Sequence, residues 1–209
     1  MAQENLPVTP EEVCSRAMVM CGMEAMSSFS ELGRDEVIVA SQLYEVMVNA
    51  ALSSYPWRFA SGQWQLELSA SDPLDRYESA WHYPTLPEGR PLQIQQIRSG
   101  DDPVRYDIFK NLIYASADPS AVLIADYQFR VEEAYWLPQF MLFMIFDLAA
   151  TFASSVTRSS TQLKAFDGMA ERQLMRAKTR DAQSKTPKRS RMTALRRPRH
   201  EWPRGSTTV

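Results

Sequence analysis

Histidine and cysteine, on which much metal and acid–base chemistry depends, are nearly missing from this chain, with two of each in 209 residues. His82 stands in the aromatic stretch Trp81-His82-Tyr83 and His200 in the C-terminal segment. Neither has a visible partner, so no zinc-ligand spacing can be drawn. Cys14 and Cys21 are seven apart on an expected helix, which puts them on one face but about 10 Å apart, too far for a disulfide. Buried free thiols are expected. Glycine is also scarce, seven in all, and there is no phosphate-cradling loop, no G-x-S-x-G elbow and no dinucleotide fingerprint. Acidic pairs such as Asp101-Asp102 and Glu132-Glu133 fall in loops, where adjacent carboxylates are solvated. The inventory predicts no enzyme, no catalytic or metal site and no cofactor.

Targeting and membrane signals are missing from the pattern as well. Residues 1–10 have no basic n-region and no apolar h-region, so synthesis in the cytoplasm without a signal peptide is expected. The longest apolar stretch, residues 140–152, is interrupted by Asp147 and falls short of the roughly 20 residues that cross a bilayer. It reads as a core helix, with no membrane partner. What is present, 44% hydrophobic and 23% charged residues, is the composition of an ordinary soluble globular protein with one core and room for a small second lobe.

Charge is divided along the chain. From Arg176 onward eleven Lys or Arg face two acids, Asp181 and Glu201, a net of +9. Residues 1–175 hold twelve basic and twenty-three acidic residues, a net of −11. An acidic body with a basic tail predicts a tail that seeks a negative surface, or a body that must not stick to one.

Thr9-Pro10-Glu11-Glu12 is a capping box with Pro at the first helical position, opening a helix that runs to about Cys21 and stops at Gly22. Val37, Leu43, Tyr44, Met47, Val48, Ala51 and Leu52 mark a second helix over residues 35–54, ended by Pro56. Between 63 and 130 the period changes: Trp64, Leu66 and Leu68 alternate with polar residues. Short apolar runs follow, separated by turns at Asp72-Pro73, Gly100-Asp101-Asp102-Pro103 and Asp118-Pro119. This predicts a small antiparallel β lobe, with Lys110-Asn111 as a two-residue hairpin turn because Asn tolerates positive φ. Helical periodicity returns at Pro138, to about Thr157, and again over 160–182 with Leu163, Phe166, Ala170, Leu174 and Ala177 as its stripe.

The expected fold is therefore α+β: residues 1–62 and 131–182 form helical pairs of one core, 63–130 are the inserted lobe, and 183–209 form a basic, extended arm. The arm lacks a hydrophobic period and carries three prolines, so it should be disordered in the free subunit. Its anchors Met192, Leu195 and Trp202 beside arginines suit a partner interface. The cluster Tyr55-Pro56-Trp57-Arg58-Phe59 admits base stacking, but large rings at a helix-to-sheet junction more often plug the gap between layers.

These residues resemble, in order, the tail tubular protein A and head-to-tail adaptor family of tailed phages. The similarity covers about residues 9–180: a first helix ending in Cys21-Gly22, the Ser27-Ser28-Phe29 loop, and Tyr55-Pro56-Trp57-Arg58-Phe59-Ala60 as the helix, Pro-Trp, any residue, Phe-Ala, strand pattern. Trp81-His82-Tyr83-Pro84, the Tyr106-Asp107-Ile108 hairpin and Trp136-Leu137-Pro138-Gln139-Phe140 follow. Arg58 stands where Asn is common, and Lys110-Asn111 where the hairpin often has Gly. Pro56, Trp57, Phe59, Ala60 and Trp81 are the structural motif residues that match.

The resemblance implies a four-helix adaptor core in a closed ring of about twelve copies. Such a ring sits at the virion neck between the portal protein and a downstream tail or nozzle protein. DNA would pass through its lumen without specific binding. In related adaptors a C-terminal extension docks on the portal, which assigns Arg191, Leu195, Arg196, Arg197, Arg199 and Trp202 to portal binding. The arm's twenty-seven residues span up to roughly 80 Å when extended, enough to reach a neighbouring ring. A nucleic-acid-binding accessory protein using the same arm is the alternative; a lytic enzyme has no residue in its favour.

Overall fold

The computed structural model describes residues 8–31, 33–74, 76–87 and 89–184. The arm, with Arg191, Leu195, Arg196, Arg197, Arg199 and Trp202, lies outside the described residues. Helix α1 spans Pro10–Met20, and the Thr9 hydroxyl accepts the Glu12 N–H at 3.3 Å as its N-cap. It stops at Gly22, whose φ is +78°. Gly22 N–H donates to Val19 O and Met23 N–H to Met18 O, the paired bonds of a Schellman cap that needs a left-handed residue there.

Helix α2 covers Asp35–Ser53, α3 Pro138–Ser155 and α4 Ser160–Gln183. Among the described residues, α3 is the one helix long and apolar enough to pass as a bilayer span by length and composition. Half of it is buried inside the protein, and Phe140, Met144, Leu148 and Phe152 form the centre of the helical core. It packs on α1 and α4. The α4 stripe forms as expected in part: Ala170 and Ala177 are buried, while Phe166 and Leu174 pack half-buried against the core.

Among the described residues, seven strands lie between α2 and α3: β1 Ser61–Gln65, β2 Ser79–His82, β3 Gln93–Ser99, β4 Asp102–Pro103, β5 Tyr106–Phe109, β6 Leu112–Ala115 and β7 Leu123–Gln128. They form two antiparallel sheets, one ordered β1-β7-β3-β4 and the other β2-β6-β5. The lobe is thus divided into two sheets, and it begins at Ser61, two residues earlier than the sequence predicts. Leu66, Trp81, Ile94, Ile97, Ile113, Leu123 and Ala125 from both sheets fill one shared core. Its first and last strands pair with each other, Ser61 opposite Gln128, so the insertion enters and leaves the helical body side by side.

Two local features differ from expectation. Leu68 ends up 47% exposed beyond the end of β1, since only an isolated bridge to Trp81 continues the pairing. The β5–β6 hairpin forms with Phe109 opposite Leu112, but the residue with positive φ is Lys110, at +58°, rather than Asn111. A positive φ at the first central position alone is the requirement of a type II′ turn, where glycine is usual.

Candidate functional site

The Tyr55–Ala60 segment joins helical body to sheet, and its rings fill that joint. Trp57 is fully buried, edge-on to Phe140 at 5.0 Å and to Tyr55 at 4.8 Å, and its Nε1–H donates to Ala51 O at 3.0 Å. Phe59 meets the same Phe140 ring at 5.1 Å. Pro56 is exposed at the turn and Ala60 is buried. Trp57 has no ring face open to a nucleobase, so this cluster is the plug between layers. Trp81 sits apart from it, in the sheet core, with Nε1–H donating to Ser79 Oγ at 2.7 Å.

The C-terminal end of α4 is fastened to the same joint. Asp181, buried, accepts the Arg58 backbone N–H at 3.0 Å. Burial raises its carboxyl pKa above the ordinary value, and the hydrogen bonds from the Arg58 and Phe59 N–H groups partly offset this. Arg58 Nη1 reaches Ser184 O at 3.4 Å, and the Lys178 ammonium lies 5.4 Å from the centre of the Tyr55 ring. The point where the arm leaves the body is therefore fixed.

A second joint ties α2 to the segment before α3. Arg130 forms ion pairs with Glu45, at 3.0 Å, and with buried Glu133, and its guanidinium faces the Trp136 ring. The Tyr44 hydroxyl donates to Glu133 Oε1 at 2.8 Å. Burial opposes the Arg130 charge, but the bonds to Glu45 and Glu133 outweigh it and hold its pKa above the ordinary value. Burial, reinforced by the Glu133 charge, pushes the Tyr44 phenol up as well. This is a buried pair with its partners supplied, the condition under which burial of charge is tolerated.

The outer surface of α2 is unusual. Val37, Ala40, Tyr44, Val48 and Leu52 face the core, yet Ile38, Leu43 and Val46 are 48%, 38% and 64% exposed. A helix apolar on both faces is ordinarily covered on both. At the far end of the lobe, Ile108 and Phe109 are also exposed beside the hairpin turn.

Among the described residues no group of His, Cys, Asp and Glu is placed to hold a metal. His82 is exposed on the rim of a cleft of about 340 Å³ with Glu67 and Tyr83. Cys14 and Cys21 are free and buried, as expected. Asp181 and Arg130 were not legible as joints, because Arg58 lies 123 positions from Asp181 and Glu45 lies 85 from Arg130; Glu133, expected to be a solvated loop acid, is instead buried against Arg130 three residues before it and the Tyr44 hydroxyl. No protein-family model matches the chain, and no curated protein matches it.

Proposed function

We propose that this chain is a non-enzymatic structural subunit of the head-to-tail connector of a tailed bacteriophage. Copies form a closed ring of about twelve between the portal and the tail, and DNA leaves through it. The exposed apolar face of α2 carries this reading. Ile38, Leu43 and Val46 form a strip on a helix already buried on its other side, which suits contact with another copy. A closed ring needs two different complementary faces per subunit, so the α2 strip meets a different surface of its neighbour.

The charge division fits the same role. An acidic wall repels phosphates and lets DNA pass without binding it. The order of sequence features shared with the adaptor family adds support, and the basic arm has the length and composition to reach the portal.

Electron microscopy of the protein with and without portal rings tests the reading. A ring stacked on portal, lost in Val46→Glu while the variant keeps its circular dichroism spectrum, is the expected result. Failure of the wild-type protein to decorate portal would overturn it. Truncation after Ala182 tests the arm separately: unchanged capture by portal in a pull-down removes the arm from the interface.

Eight Lys or Arg against one acid in residues 185–209 support a second reading, a nucleic-acid-binding accessory protein. Phosphate contacts would make its affinity fall steeply with salt. A gel shift with no DNA complex at low salt excludes it.

A further inference from the structure

Two strands of the lobe bend from one sheet into the other. The chain running on from β1 turns to pair with β2: His82 N–H donates to Glu67 O, and Ser69 N–H to Ala80 O. The chain running on from β4 turns likewise, with Val104 N–H donating to Ile97 O of β3 and Ser116 N–H, beyond β6, to Arg105 O. Every ladder is antiparallel, and the strands close in the order β1, β7, β3, β4–β5, β6, β2 and back to the continuation of β1. The two bent strands therefore lie on opposite sides of the lobe and run in opposite directions.

Each bent strand has an edge that is paired at one end and bare at the other. Leu66 N–H to Leu123 O and Phe129 N–H to Ala60 O fix which residues of β1 bond to β7, so the backbone groups of Gln63 and Gln65 point to the β2 side. The chain after β2 cannot follow them, because Pro84, in register with Gln65, has no N–H to give. On β5 the Arg105 bond fixes the same alternation, so the backbone groups of Tyr106 and Ile108 point to the β3 side. There β3 bulges between Ile94 and Gln96 and breaks the ladder. Among the described residues the backbone N–H and C=O groups of Gln63, Gln65, Tyr106 and Ile108 have no hydrogen-bond partner.

The bare edges are also uncovered at their side chains. Trp64, opposite Ala125, faces the lobe core yet is half-buried, lining the cleft toward His82 and Pro84. Ile108, opposite fully buried Ile113, is 39% exposed, and Phe109 beside it 49%. Neither strand holds a lysine or a proline, the residues that blunt a sheet edge against other chains.

We propose that these edges pair with each other between neighbouring copies, the β1 edge of one with the β5 edge of the next. This contact rests on the connector reading of the chain and adds a second interface to that of α2. A copy of this chain is the occupant because the two edges match, two bare residues each, and lie on opposite sides of the lobe, as a head-to-tail ring requires. Ring neighbours share nearly the same orientation, so the oppositely running strands meet antiparallel. Gln63 and Gln65 then form hydrogen-bonded pairs with Ile108 and Tyr106 of the neighbouring copy. Trp64 stands opposite Asp107 of the neighbouring copy, with Phe109 of the neighbouring copy within reach of its ring on the diagonal. No like charges meet.

Diamide oxidation of the double variant Trp64→Cys/Asp107→Cys, bound to portal rings, tests the register, because a non-hydrogen-bonded pair brings β-carbons close enough for a disulfide. The expected product is a ladder of covalent oligomers longer than a dimer. It should be absent from each single variant and from the wild type, whose Cys14 and Cys21 are buried. Gln65→Pro in the otherwise unchanged chain removes an N–H that the subunit itself does not use. It should keep the circular dichroism spectrum and cut ring formation on portal about tenfold. Decorated portal without a ladder, or Gln65→Pro that folds and assembles like the wild type, overturns the edge contact and leaves the connector reading standing. Trp64→Cys linking to itself, which would set two β1 edges together, overturns it too. Portal left undecorated by the wild type removes both.

Discussion

The helical body and the β lobe are held together by different means. Among the described residues the body buries twenty-five side chains in one cluster, organised around the contacting rings of Trp57, Phe140 and Trp136. The lobe core has ten, mostly aliphatic, drawn from two sheets. Large interlocked rings make the body intolerant of truncation, whereas the lobe depends on register and on close backbone approach. The body is therefore the part less tolerant of change, and the lobe is an insertion built on short strands.

The sharpest break of this comparison is at Trp57. Its replacement by Ala removes the ring from Phe140, Tyr55 and Phe59 at once and deletes the bond to Ala51. A loss of about 3–5 kcal/mol is expected, visible as a lower urea midpoint. If Trp57→Ala left that midpoint unchanged, the plug would not be holding body and lobe together.

Two glycines sharpen the contrast between regions. Gly62 lies opposite Tyr127, and a Cβ there would come within 2.6 Å of the Tyr127 hydroxyl oxygen and 2.7 Å of its Cζ. Gly62→Ala must displace a ring of the sheet core, at a cost of about 1–3 kcal/mol. Gly168 lies inside α4, where an added Cβ meets nothing. Gly168→Ala should stabilise the body by about 0.5–1 kcal/mol, since glycine is a poor helix former. Equal signs for the two substitutions in thermal melts would contradict this assignment of tight and open backbone.

Much of the fold was readable from local signals, because caps and stops act within a turn of chain. Thr9, Pro10, Gly22 and Pro138 each mark a boundary that the structure keeps to within about a residue, and the ring cluster around Trp57 is the plug that its composition implied. What local signals could not carry was the pairing between distant residues. Asp181 on the Arg58 backbone, Arg130 on Glu45, and Tyr127 against Gly62 leave no periodic trace. The division of the lobe into two sheets escaped for a related reason: strands of two to seven residues say that they pair, but not with whom. The portal-binding assignment of Arg191, Leu195, Arg196, Arg197, Arg199 and Trp202 rests on sequence alone.

Alkaline pH probes the core of the body. Burial, with the charges of Glu11 and Glu133, pushes the Cys14 thiol from 9.0 to about 12. The folded pKa is raised, so the neutral thiol favours the folded state fully below pH 9, and that contribution is lost as pH rises toward 12. Stability should fall by about 1 kcal/mol from pH 9 to pH 10 on this account. Cys14→Ala, measured by urea unfolding at both values, should flatten that slope; an unchanged slope would assign the alkaline loss to other groups.

An effect as small as that at Gly168 is expected at the tip of the lobe. Lys110 holds φ at +58° in the two-residue turn between Phe109 and Leu112, where a side chain costs about 1–2 kcal/mol and glycine very little. Lys110→Gly relieves that strain but frees the unfolded chain, so a net gain of about 0.5–1 kcal/mol is expected. Asn111→Gly, with no positive φ to relieve, should give no gain. If thermal melts reversed this order, the turn would have its left-handed residue at 111, and Phe109 and Leu112 would meet across a different turn type.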